Sequence, residues 1–368
     1  MFEEVATMET NTTDISEQEP EVTPLAQFGG WFTTVHGYSS LIVCAFGITT
    51  NFINITVLAR KDMRNPTNAM LTWLAVSDIL TMIPYVPFVI HFYCAFSPYE
   101  VSAEKYSYSW AIYMLFLINF AATTHTISIW LGVALAVFRY VQLRSTTKGT
   151  LARRRQYSVI LKIIAMIYVA SALVLIPNYL TNELEEYPMN NETLYVMKDL
   201  KLATNETKPI VLANVITYAV VAKLIPCALM TIFGGSLLIS LNLKGRKRRR
   251  RLSTTTNNFR RESRQAKTTR MLLVVIILFL FTELPQGLLI VLSTAVPGFY
   301  QGVYAPLGDL MDIIALTNNA INFVLYCVMS TQFRTKFLQM YFNKGATFKD
   351  VERTNLTTSF NKTTMTSS

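Results

Sequence analysis

The segment LFLFTELPQG, residues 278–287, sets a carboxylate, Glu283, in a run otherwise fit for lipid, two residues before Pro285. An ionisable group at the centre of a membrane helix costs about 3 kcal/mol on insertion scales, so it persists where it faces a polar interior or a ligand. Two roles are open to Glu283. It meets a cationic group of a ligand, or it is satisfied internally, by a partner such as His125 or by a proton that burial keeps on the acid. Asp309 and Asp312 stand at i and i+3 near the outer end of another apolar stretch and so share a helix face. Carboxylates so placed favour a cationic ligand, and a guanidinium forks well onto one. Tyr85, Phe88, Phe92, Tyr113 and Phe120 offer aromatic walls and Gln286 a neutral hydrogen-bond partner, although each also serves as plain helix packing. Catalysis is not expected. The chain has no His-Glu-x-x-His, Gly-x-Ser-x-Gly or Walker loop, and its three histidines are His36, His91 and His125.

Elements able to position these groups are legible in the apolar pattern. With 51% hydrophobic and 15% charged residues, the chain reads as an all-α membrane protein. Seven stretches are long enough to cross a bilayer as helices, at roughly 37–60, 67–93, 109–140, 157–180, 209–243, 268–295 and 305–329. Together they form a seven-transmembrane bundle over 37–329, followed by a short amphipathic helix over 330–342, where Phe333, Phe337 and Tyr341 recur every fourth residue as in an interfacial segment. Residues 343–368, rich in Ser and Thr, read as a disordered cytoplasmic tail.

Charge sets the orientation. Residues 1–36 carry seven acids and no Lys or Arg, whereas the third inner loop, about 244–267, lies within a stretch from Lys244 to Arg270 that has twelve Lys/Arg against one acid. The positive-inside rule therefore puts the N-terminus outside. The basic loop reads as a topology signal and a contact for anionic lipid rather than for nucleic acid. Asn11, Asn191 and Asn205 each open an outer N-x-T sequon and are expected to carry glycans. The second outer loop, 181–209, has six acids against three lysines, which again favours a cationic ligand.

Several residues in register resemble the rhodopsin-like class A G-protein-coupled receptors: Asn51, LAVSD ending at Asp78, FRYV at 138–141, Pro226, Pro285 and NFVLY at 322–326. Five linked segments narrow the resemblance to the myosuppressin and FMRFamide-like neuropeptide receptors: RNPTNA (64–69), HTISIWL (125–131), KLIPC (223–227), TELPQG (282–287) and INFVLYCVMSTQFR (321–334). The match implies a plasma-membrane receptor for an amidated peptide that couples to a heterotrimeric G protein, with arrestin capture by a phosphorylated tail. A peptide ending in Arg-Phe-amide would place its guanidinium on Asp312 or Glu283, within a site including Asp309, His125, Gln286, Tyr113, Tyr85 and Phe88.

The same resemblance gathers Asp78, Ser128, Asn318, Asn319 and Asn322 into a polar site for allosteric Na⁺, with no other cofactor and no resident metal. It also assigns coupling and activation to Phe138, Arg139, Tyr140, Pro285, Asn322 and Tyr326. Departures are plain. Phe138 stands for the usual acid before Arg139, Phe323 for a proline, Glu283 for a tryptophan and Met114 for the outer cysteine. Without an acid beside Arg139, either basal signalling is raised or a neutral restraint acts through Gln265, Thr268 or Thr269. An ion-coupled transporter is the alternative from another class, but no internal repeat supports it. A decoy that binds peptide without signalling is the other.

Overall fold

The computed structural model describes residues 23–144, 150–189, 191–204, 207–250 and 256–342. Asn11, Asn205 and the tail from 343 onward therefore lie outside the described residues. Seven helical spans pass the length and hydropathy needed to cross a membrane, between Pro24 and Met329.

The first span is α1 (Pro24–Leu58), which begins before residue 37 because Thr23 caps it: its hydroxyl accepts the Ala26 amide at 3.2 Å, and Pro24 fills the first turn. The second is α2 (Pro66–Val89), capped by Asn65 and ending in a π turn, Ile90–Ala95. The third is α3 (Tyr108–Arg144), and the fourth combines α4 (Thr150–Val174) with the short α5 (Ile176–Thr181), broken at Pro177. The fifth combines α6 (Pro209–Thr217), a π turn (Tyr218–Leu224) and α7 (Ile225–Arg250). The sixth is α8 (Thr256–Ala295), with Pro285 inside it, and the seventh is a π turn (Tyr300–Tyr304) leading into α9 (Ala305–Met329). Then α10 (Thr331–Tyr341) starts at Ser330, whose hydroxyl accepts the Phe333 amide.

Two further features differ from the sequence-based expectation. The third inner loop is largely helical, since α7 runs on to Arg250 and α8 starts at Thr256. Between the fourth and fifth spans lies an antiparallel hairpin, β1 (Leu184–Met189) and β2 (Glu192–Met197), pairing Leu184 with Met197. Its strands are too short and too acidic to stand out beside apolar helices. Asn191 turns it at φ 65°, a left-handed conformation that Asn tolerates, and is exposed as a glycosylated residue would need.

Neighbouring spans approach closely where side chains are small. A Cβ on Gly47 would stand 2.6 Å from Met82 and 3.0 Å from Ala320, so glycine there lets the first span lie against the second and seventh. Buried apolar clusters fill the inner half (Val57, Leu71, Leu131, Tyr326, Phe333) and the contact of the third, fifth and sixth spans (Ile129, Val133, Met230, Ile276, Phe279). Large apolar side chains such as Ile42, Phe281 and Val328 point outward, as spans facing lipid require. Phe333 is an exception to the interfacial reading of α10: it is 1% exposed and packs edge-on to Phe323 and Tyr326. The proline position of the seventh span thus holds a ring that joins it to α10. Lys336 reaches Asp62 at 2.7 Å and holds that carboxyl below its usual range, tying α10 to the first inner loop.

Candidate functional site

Mid-bundle, Glu283 is wholly buried and its Oε2 is occupied twice. Lys223 Nζ donates to it at 2.6 Å and His125 Nε2 lies at 3.1 Å. Lys223 also donates to Gln286 Oε1 at 2.8 Å, and its side chain is 1% exposed. The π turn carries Lys223, and such bulges re-aim side chains at functional positions. Glycine at 287 admits it: a Cβ there would sit 3.0 Å from the Lys223 Cβ. Of the roles open to Glu283, the arrangement is the internal one, and the partner beyond His125 is a lysine that the reading of the sequence left within a motif. The signal was present, because Lys223 is a lone cation in an apolar span and needs an acid as Glu283 needs a base.

Toward the end of the bundle where the first span begins, the two aspartates behave differently. Asp309 is spent on donors, with Oδ2 accepting the Thr33 hydroxyl at 2.7 Å and Oδ1 the Tyr93 hydroxyl at 2.9 Å. Asp312 is exposed although it sits between spans, and its one described donor is the Tyr85 hydroxyl at 3.3 Å. Tyr85 in turn meets His36 Nε2 at 3.0 Å. Phe88 packs on Tyr85, Phe92 and Tyr93, with ring centroids 5.6, 5.0 and 5.9 Å away. Tyr113 donates to the Pro84 carbonyl at 2.6 Å, which ties the third span to the proline-containing part of the second. Tyr85, Phe88, Asp309 and Asp312 therefore gather on one side, and His125, Glu283 and Gln286 with Lys223 on another. His36 is the second residue the sequence reading passed over.

Below this layer Asp78, 1% exposed, accepts Ser128 Oγ at 3.0 Å and Asn322 Nδ2 at 3.1 Å. Asn319 joins through its carbonyl, which accepts Asn51 Nδ2 at 3.0 Å, and Asn318 makes none of these bonds among the described residues. Two carboxylate oxygens, a hydroxyl and amides are hard ligands suited to a cation and water.

At the opposite end of the bundle Arg139 Nη1 donates to Gln142 Oε1 at 2.9 Å, one turn along its own helix, and its Nε is buried without a partner. Phe138 packs into the inner apolar cluster, Tyr140 lies edge-on to Phe233 at 5.6 Å, and Tyr326 is 2% exposed. Gln265, Thr268 and Thr269 belong to a segment of α8 whose side chains are outside the described residues. The cysteines Cys44, Cys94, Cys227 and Cys327 are all free. The hairpin is instead attached to the loop before the third span by Tyr195 N–H donating to the Tyr106 carbonyl at 2.9 Å, and to the start of that span by the Tyr108–Tyr195 ring contact.

Seven spans around buried polar side chains, with Asp309 and Asp312 toward one end and Arg139 toward the other, define a seven-span bundle of the rhodopsin type. Squid rhodopsin has this fold, with a TM-score of 0.63 over 93% of this chain and 95% of that one at 15% identity. The chain belongs to the serpentine type 7TM GPCR chemoreceptor Srw family, whose model matches residues 38–344. It is 30% identical to the G-protein coupled receptor dmsr-1 of Caenorhabditis elegans, over 84% of this chain and 69% of that protein. With the sex peptide receptor of Drosophila melanogaster it shares 25% identity over 86% of this chain and 74% of the relative. It is thus a multi-pass G-protein-coupled receptor of the cell surface.

Proposed function

We propose that the chain is a receptor for an amidated neuropeptide of the FMRFamide-like, myosuppressin type, with its N-terminus outside and a heterotrimeric G protein as transducer. The observation that carries this is Asp312, a carboxylate with exposed surface, bonded only to Tyr85 among the described residues, while Glu283 is ion-paired with Lys223 and hydrogen-bonded to His125. A ligand guanidinium goes to Asp312, with Tyr85 and Phe88 beside it. Asp309 and Asp312 together repel a free C-terminal carboxylate, which explains a requirement for the amide. A peptide-named relative, the sex peptide receptor, supports a peptide ligand.

Signalling involves no catalysis by the chain itself. Na⁺ at Asp78 acts as an allosteric ligand, Asn191 carries a glycan, and arrestin follows phosphorylation of the tail. The test is the potency of amidated Arg-Phe peptides at equal surface expression. A charge-assisted bond contributes about 1.5–3 kcal/mol, so Asp312→Asn loses about 10- to 150-fold at 1.4 kcal/mol per decade. An unchanged potency in Asp312→Asn moves the arginine elsewhere.

A further inference from the structure

Where the first, second and seventh spans meet, a buried imidazole has two ways to satisfy its neighbours, and they differ in where Tyr85 places its hydrogen. His36 is completely buried, and its Nδ1 has no hydrogen-bond partner. It is walled by Tyr85 of α2 at 3.0 Å, by the Tyr93 ring of the following π turn at 4.8 Å between centroids, and by Ser40 of its own helix at 3.4 Å. Asp309 of α9 faces it with both its charge and its main chain, and Asp312 stands one bond further, behind Tyr85. Neither aspartate bonds a Lys or Arg among the described residues, since Lys223 is committed to Glu283 and Gln286.

Proton bookkeeping then fixes the roles. A tyrosine hydroxyl has one hydrogen. When Tyr85 gives it to Asp312, His36 must donate from Nε2, and its Nδ1 is left as a buried lone pair facing an acidic wall. A proton on Nδ1 removes that conflict, sets a positive charge beside Asp309, and obliges Tyr85 to keep its hydrogen on Asp312. A neutral His36 of the other tautomer removes the conflict too: it accepts the Tyr85 hydrogen at Nε2, points its Nδ1 hydrogen at the Asp309 main chain and leaves both Asp312 oxygens free.

We propose that His36 is a proton-linked positioning residue for the ligand's cationic end: protonated, it pins Tyr85 on Asp312 Oδ2 and offsets the acid pair; neutral with its hydrogen on Nδ1, it draws the Tyr85 hydroxyl away and frees both Asp312 oxygens for a forked guanidinium. Protons and the cationic ligand therefore compete, and the receptor responds less well in mildly acidic surroundings. The inference rests on the placement of a ligand cation at Asp312. It adds a regulator that belongs to the first span.

The test uses the full chain at equal surface expression and N-acetyl-Phe-Met-Arg-Phe-amide, whose only cation is its arginine. Potency is measured between about pH 5.0 and 7.5, a range that extends well below the ordinary imidazole value because His36 is buried. The parent chain is expected to lose potency several-fold on acidification, while His36→Gln, which keeps a neutral hydrogen bond to Tyr85 and binds no proton, gives a flat profile. A flat parent profile, or an equal slope in His36→Gln, overturns the proposal. If the peptide elicits nothing at any pH, the neuropeptide reading fails, and the melting temperature of the purified chain over the same range decides for His36. A slope that His36→Gln abolishes keeps the proton site, and superimposable profiles remove it.

Discussion

Lys223 and Glu283 are each close to fully buried, so removing one strands the charge of the other. Breaking a buried pair in this way costs about 3–5 kcal/mol, whereas replacing both members is often close to neutral. Lys223→Met is therefore expected to lower the melting temperature and surface yield markedly, and the Lys223→Met/Glu283→Gln double variant to recover most of the loss. A double-mutant cycle on the purified receptor measures this, and additive losses would show that the two side chains do not act as a pair. Arg139 presents the opposite situation, with a neutral partner, Gln142, where an acid would have restrained it. Phe138→Asp restores that acid and should reduce basal second-messenger output, while an output unaltered by the added charge would mean that Gln142 already suffices. At this scale the sequence displayed the anomalous groups but not their pairing. Glu283 was visible because an acid in an apolar run stands out; that its neighbour is Lys223 depends on the π turn and on Gly287, which no short-range pattern reveals.

The elements were legible where a single physical signal defined them. All seven spans follow from apolar length, and α10 from its fourfold aromatic spacing. The spacing misassigned one face, because Phe333 meets Phe323 and Tyr326 rather than lipid, and only the docked helix shows it. The β1–β2 hairpin was missed because its alternation is weak and it sits beside longer, stronger helical signals. Its attachment makes a prediction. With four free cysteines and a main-chain bond from Tyr195 to Tyr106, ligand potency should be unchanged by a membrane-impermeant reductant. A loss of potency on reduction would require a disulfide elsewhere in an assembly. On the inner side, the Lys336 ammonium lowers the Asp62 pKa, so the tether of α10 is present above the usual carboxylate range and is lost as pH falls through the lowered value. A spin label at Leu338 should gain mobility over that acid window, and Asp62→Asn should be mobile at every pH; equal mobility of the two at neutral pH would dismiss the tether.

For the whole molecule, three polar layers succeed one another along the bundle axis: the Asp312–Tyr85–His36 cleft, the Lys223–Glu283–His125 centre with Asp78 below it, and Arg139 at the inner mouth. Each is enclosed by apolar packing that makes its charges costly unless paired, bound or moved. The outermost layer holds the acid that is accessible and short of partners, which is where a cationic ligand gains most. The fold and the G-protein-coupled receptor class were recoverable from apolar lengths and residues in register, whereas telling the two acids apart needed the distances, since Asp312 and Glu283 look equivalent as letters. The most direct measurement is a surface-expression-matched signalling screen of amidated Arg-Phe peptides against the same peptides with free C-terminal acids, read through several G-protein outputs. The account predicts responses to the amides that largely vanish with the free acids and weaken in Asp312→Asn. Equal responses to amide and acid, or silence across the panel from a well-expressed receptor, would contradict it.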